Sequence, residues 1–169
     1  MMKTLVLTFM LAFAGITAAN AQSKSSKIYD AFSGKEGVSQ FSFTGKMIDA
    51  INLDLSDDEN EEKNVTGDLH EIRFLSYNPQ KGDLSGSEFI KKATSFLTSP
   101  YKKFEDDEPD DDNAEIWLLG GKKKFTECHL LINNTRDDQL HFIVSFYGDF
   151  TVNDLERLKK TGMDFSDDK

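Results

Sequence analysis

The chain is 169 residues long and carries 30 Asp and Glu against 20 Lys and Arg, a formal net charge of −10. Such an acidic surface repels nucleic-acid phosphates and anionic membrane, which sets both aside as partners. A single cysteine, Cys128, allows no internal disulfide, so stability has to come from packing, and a chain of this size buries about two-thirds of its unfolded surface, enough for one domain with a core.

Residues 1–21 read as a secretory signal peptide. Lys3 precedes an apolar run from Leu5 to Ile16, and Ala19-Asn20-Ala21 fits the small-residue rule for cleavage before Gln22. The run is too short for a stable membrane span, and no later run reaches the roughly 20 apolar residues that a span needs. No cysteine stands at the cleavage point to carry a lipid. The mature protein is therefore expected in the periplasm or outside the cell. Residues 22–27 read as a flexible lead-in, 28–162 as a single domain and 163–169 as an acidic tail.

The domain opens with Ile28, Tyr29 and Phe32, large apolar groups ahead of a turn at Ser33 to Gly37. A strand is predicted over Val38 to Phe43, with Phe41 and Phe43 on one face. A short helix follows from Thr44 or Gly45, in which Met47, Ile48, Ile51 and Leu55 recur at helical spacing. Ser56 to Asn64 is an acidic loop. Asp68 to Tyr77 is a second strand with apolar residues on both faces, which places it inside the sheet rather than at its edge. After a turn at Asn78 to Asp83, Ser85 to Ser99 is the strongest helix. Phe89, Ile90, Ala93, Phe96 and Leu97 make its stripe, and Pro100 closes it. Tyr101 to Phe104 is a short strand before the acidic loop Glu105 to Asn113.

Three strands follow between Ala114 and Phe150. Their even positions are apolar: Ala114, Ile116 and Leu118, then Cys128, Leu130 and Ile132, then Leu140, Phe142, Val144 and Phe146. Period-two alternation over adjacent runs marks an antiparallel sheet with a buried face. Setting Leu130 opposite Leu140 matches the parities and puts Cys128 opposite Phe142, with a short loop at Asn134-Thr135-Arg136. A slip of one residue would bury the wrong face; slips of two would not. Thr151-Val152-Asn153-Asp154 resembles a capping box and starts a last helix that runs to Gly162. The predicted fold class is α+β: a mostly antiparallel sheet with a C-terminal three- or four-stranded meander and about three helices packed mainly on one face.

The segments YDAFSGKEGVSQFSFTGKMI (Tyr29 to Ile48), GGKKKFTECHLLIN and FYGDFTVNDLERL resemble a family of small exported Bacteroidota proteins catalogued as domain of unknown function 4252. The resemblance extends from about Ile28 to about Lys160. Its elements are a short aromatic entry, a lysine-containing turn before a T-E-x-x-L-L strand, and a G-x-F turn into the last helix. It implies an exported globular domain without assigned catalytic residues, some of whose relatives accompany envelope-signalling regulators. These motifs are architectural, so no functional residue transfers. The acidic stretch Glu105 to Asn113 looks longer than the family's usual turn.

Chemical motifs are sparse. The chain has no G-x-S-x-G elbow, Walker loop, G-x-G-x-x-G or H-E-x-x-H, and an enzyme is not expected. Cys128 falls on the apolar parity of its strand and reads as a small buried hydrophobe. His129 next to it would point to the other face, the wrong geometry for a thiolate pair. The acidic loops lack the spacing and glycine of a calcium loop. On the register above, His129 and His141 are cross-strand neighbours with Glu127 on the same face, a candidate metal site lacking an obvious third nitrogen other than His70.

The odd positions of the same strands carry Trp117, Leu119, Phe125, Leu131, Ile143 and Tyr147, a mixture that suits contact with a partner or cover by the chain's own helices. The expected function is an exported noncatalytic interaction module. It binds an envelope protein or forms a homodimer through Trp117, Leu119, Phe125, Ile143 and Tyr147. The alternative is small-ligand or divalent-metal binding, hydrolytic chemistry included, through His129, His141 and Glu127. No cofactor is expected.

Overall fold

The computed structural model describes residues 24–51, 69–105, 114–134 and 139–167. The predicted signal segment, Leu55, the acidic loop 56–64 and the acidic loop from residue 106 onward lie outside the described residues. Among the described residues no helix is long and apolar enough to cross a membrane.

In chain order the elements are α1 (Ser26–Phe32), β1 (Val38–Thr44), α2 (Gly45–Ile51), β2 (Glu71–Tyr77), α3 (Gly86–Thr94), β3 (Lys102–Phe104), β4 (Ala114–Gly120), β5 (Lys124–Ile132), β6 (His141–Thr151), a 3-10 turn (Val152–Asp154) and α4 (Leu155–Asp167). The aromatic entry is thus itself a helix, and it begins inside the predicted lead-in. Ser25 just before it is fully buried. At the other end α4 continues past Gly162 into the predicted tail.

The strands form one antiparallel sheet of six in the order β1-β2-β6-β5-β4-β3. The predicted meander is present as four strands, β3 to β6. β2 sits between β1 and β6, as apolar residues on both its faces require. The α+β class holds, but the helices divide between the two faces of the sheet rather than gathering on one. On the first face Ile72, Phe74, Ile116, Leu118, Cys128, Leu130, Ile132, Val144 and Phe146 pack under Ile48 of α2 and Leu155 and Leu158 of α4. On the second, Leu75, Tyr77, Leu131 and Ile143 pack under Ile28, Tyr29 and Phe32 of α1 and Phe89, Ile90 and Ala93 of α3. Each large side chain buried this way contributes about 1.5–3 kcal/mol relative to exposure, so neither face is left uncovered.

The register of β5 and β6 differs from the predicted one. Leu130 faces Val144, Cys128 faces Phe146 and Ile132 faces Phe142, a displacement of four residues that keeps the parities intact. The reason is that alternation fixes register only in steps of two. The loop lengthens accordingly, from Ile132 to His141, and residues 135–138 of the predicted tight turn lie outside the described residues. A second difference is a register shift between Phe125 and Glu127. This irregularity turns Phe125 over to the first face, where it is buried with Cys128 and Phe150.

α3 is held in place from several sides. Ser85 caps it reciprocally with Glu88, the Ser85 hydroxyl accepting from the Glu88 N–H at 3.3 Å and the Glu88 carboxylate accepting from the Ser85 N–H at 2.9 Å. Tyr77 ties the preceding turn to the sheet, its hydroxyl donating to the Leu84 carbonyl at 2.6 Å and accepting from the Leu84 N–H at 2.7 Å. Gly86 brings the first turn of α3 against the buried His141 ring, where an added Cβ would stand 1.9 Å from Nε2. Gly86→Ala is therefore expected to lift α3 and cost roughly 1–3 kcal/mol, the usual range for overpacking. Urea unfolding checks it; an unchanged midpoint would contradict the close approach.

Candidate functional site

The residues predicted to meet a partner lie in two different places, mostly inside. Ile143 and Tyr147 are buried at 0% and 8% exposure, and Phe125 is buried at 7% on the opposite face. Trp117 and Leu119 are half-buried against the layer made by α1 and α3. The Trp117 Nε1–H donates to Glu115 at 3.1 Å, and Lys103 of β3 grips the same carboxylate at 2.9 Å. Of the two readings of the odd positions, contact with a partner or cover by the chain's own helices, the second holds for Trp117, Leu119, Leu131 and Ile143, which pack with the stripes of α1 and α3.

The metal constellation also separates. His129 faces Ser145 and His141 faces Tyr77. Four residues along β6 between those rows amount to about 13 Å, too far for a shared ion. Among the described residues no three His, Cys, Asp or Glu side chains gather into a metal-holding group. His70 stands outside, exposed before β2. Cys128 is buried, and burial pushes its thiol up to about 12, which removes it as a nucleophile at neutral pH.

Glu127 and His129 do meet, in a polar network buried beneath α1. One carboxylate oxygen of Glu127 accepts from Ser25 Oγ at 2.7 Å, from the Tyr101 hydroxyl at 2.8 Å and from His129 Nε2 at 3.0 Å. His129 Nδ1 accepts from Ser145 Oγ at 2.8 Å, and Ser145 Oγ accepts from the Tyr29 hydroxyl at 2.7 Å. The Tyr147 hydroxyl closes the set on Ser25 Oγ at 3.1 Å. Three donors satisfy a carboxylate that would otherwise be costly to bury. Burial lowers the His129 pKa, outweighing the opposing pull of Glu127, so the contact is a hydrogen bond from a neutral imidazole rather than an ion pair.

Ser145, His129 and Glu127 carry the residue types of a catalytic triad, but the arrangement is unsuited to one. The serine sits on Nδ1 and the acid on Nε2, the reverse of the serine-protease order. Ser145 is 0% exposed and its oxygen is taken by Tyr29, so no substrate carbonyl reaches it. The network instead straps α1, through Ser25 and Tyr29, to β5, β6 and Tyr101.

Among the described residues no strand or helix covers the edge of the sheet at β1. Its sequence VSQFSFT has no charge and no proline, and every residue in it is exposed or half-exposed. Phe41 is 52% exposed, its ring stacked on Phe74 at 4.6 Å. Beside the strand lies a recess of about 310 Å³ lined by Tyr29, Gln40, Phe41, Ser42, Glu71 and Arg73. Arg73 in its lining is held by Glu71 through two contacts of 2.7 and 3.2 Å and lies 5.5 and 5.2 Å from the ring centroids of Tyr29 and Tyr147. Gln40 Nε2 donates to the Tyr29 carbonyl at 2.9 Å, joining the edge to α1. Sequence reasoning missed this group. The available signal was a seven-residue strand free of charge in a chain that is 30% charged.

Two outcomes follow from the burial. Trp117→Ala is expected to cost roughly 1–3 kcal/mol of stability, measured by urea unfolding, because Trp117 packs within the fold; an unchanged midpoint would restore it to the surface. For His129 the folded pKa lies below the unfolded value of about 6.5. The unfolded chain therefore binds the extra proton first, and the stability present above about pH 6.5 drains as pH falls toward the folded pKa. His129→Gln, less stable at pH 7.5, should show a smaller fall in melting temperature between pH 7.5 and 5.5 than the parent. An equal fall would show that His129 is not buried neutral.

No curated protein and no solved structure matches the chain. A family model described as Domain of unknown function (DUF4252) matches residues 29–158, from α1 into α4, and the chain belongs to that family.

Proposed function

We propose that the protein is an exported, noncatalytic interaction module that works in the periplasm or outside the cell. It engages protein by accepting an extended strand at the β1 edge. The observation that carries the reading is the contrast between the two edges of the sheet. β3 is three residues long and two of them are lysine, the usual protection of an edge against pairing. β1 is seven residues long, uncharged and free of proline, and lacks that protection. Strand addition draws affinity from main-chain hydrogen bonds and specificity from side-chain pockets along the edge. The recess at Arg73 supplies such a pocket. The two covered faces of the sheet support no competing surface of similar extent among the described residues.

The Gly37 carbonyl accepts from the Asn78 N–H at 2.8 Å, next to the Val38–Tyr77 pair. Antiparallel alternation then directs the main-chain groups of Ser39, Phe41 and Phe43 to β2, and those of Gln40, Ser42 and Thr44 to the open side together with the Val38 carbonyl, while the Val38 N–H donates to the Lys35 carbonyl at 3.3 Å. Ser42→Pro therefore removes an outward N–H and leaves the β1–β2 ladder whole, a substitution that an edge strand tolerates. A photo-cross-linking residue at Ser39 of the mature chain is expected to give a defined adduct in the cells that make it. Adding Ser42→Pro should abolish that adduct while stability changes by only about 0.5 kcal/mol. Adducts that survive Ser42→Pro would sink the strand-addition reading.

A further inference from the structure

We infer that the strand received at this edge is β1 of a second copy, so that two sheets join across a two-fold axis at Phe41. The inference rests on the strand-addition reading and names its partner.

Geometry supplies the first reason. In an antiparallel pair, residues with outward main-chain groups must face residues of the same kind. Centring the pair on Phe41 sets Val38 opposite Thr44 of the second copy and Gln40 opposite its Ser42, and the reverse. Every outward residue of both strands then takes part, Val38 through its carbonyl alone because its N–H donates to the Lys35 carbonyl at 3.3 Å. A shift of two residues either way leaves one outward residue of each copy overhanging. The strand is thus self-complementary in its longest register.

The same register places Phe41 opposite Phe41 of the second copy in a non-hydrogen-bonded pair, where Cα atoms approach to about 4.5 Å. Phe41 is the most exposed of the large apolar side chains among the described residues. Its ring already lies parallel to that of Phe74, 12° between planes. Pairing would extend this stack through the axis and cover it, while Phe43 meets the small Ser39 of the second copy.

Charge gives the second reason. Two copies at a net charge of −10 each repel, so they can meet only where the surface is neutral or complementary. Residues 38–44 are uncharged. Just beyond the strand ends stand Glu36 and, at the start of α2, Lys46. Centring on Phe41 brings Glu36 of each copy toward Lys46 of the other, an opposite-sign pair repeated by the two-fold axis.

Sedimentation velocity of the mature chain across the micromolar range tests the inference. A monomer–dimer equilibrium is expected. Ser42→Pro and Phe41→Lys should each weaken it at least tenfold with little change in melting temperature. Glu36→Lys alone should weaken it, and Glu36→Lys combined with Lys46→Glu should recover it. A chain that stays monomeric throughout, or a dimer indifferent to Ser42→Pro, overturns the inference. A monomer whose Ser39 cross-link in cells still depends on Ser42 overturns the second copy and leaves strand addition standing. A monomer with no such cross-link overturns both.

Discussion

Leu75, Leu131 and Ile143 on one face of the sheet and Phe74, Leu130 and Val144 on the other are all 3% exposed or less. A sheet apolar on both faces must be covered on both, since each large side chain left in water forfeits about 1.5–3 kcal/mol. That demand places α1 and α3 on one side and α2 and α4 on the other. It also decides where function can reside. Among the described residues both faces are occupied, and of the two edge strands β1 is the longer, seven residues against the three of β3.

The layer under α1 is less uniform than the layer under α4. It holds Glu127, His129 and Ser145 among the apolar side chains, all buried. A polar network of this kind adds little net stability when satisfied and costs much when broken. Its effect here is positional. α1 is a seven-residue helix, too short to hold itself, and Ser25 and Tyr29 fix both its depth and its rotation. Tyr29 in turn contributes its carbonyl to Gln40 and its ring to the recess beside Arg73. The network thereby connects the interior to the geometry of the β1 edge.

Much of the architecture was legible because alternation is a local property. The even positions Cys128, Leu130, Ile132, Val144 and Phe146 are core, and β2 is internal, as their patterns required. Three things were not local. The β5–β6 register depended on a loop whose length parity does not determine. Phe125 changed faces at an irregularity that no residue in the run announces. The odd positions Trp117, Leu119, Ile143 and Tyr147 looked like a contact surface because the helices that cover them come from elsewhere in the chain. The odd positions read as a mixed face, and the sequence could not say whether its cover was internal. Glu127 and His129 were correctly placed on one face, but the ligand expected to join them, His141, belongs to the row under α3.

In the proposed pairing the outward N–H groups of Gln40 and Ser42 are open in the lone chain and satisfied by a second strand. Residue-resolved amide exchange distinguishes the two states. In dilute solution the amides of Gln40 and Ser42 should exchange quickly while those of Phe41 and Phe43, bonded to β2, stay protected. On concentration, Gln40 and Ser42 should become protected as well. Protection of Gln40 and Ser42 already at the lowest concentration would show the edge covered within its own chain, with no place left for a second strand.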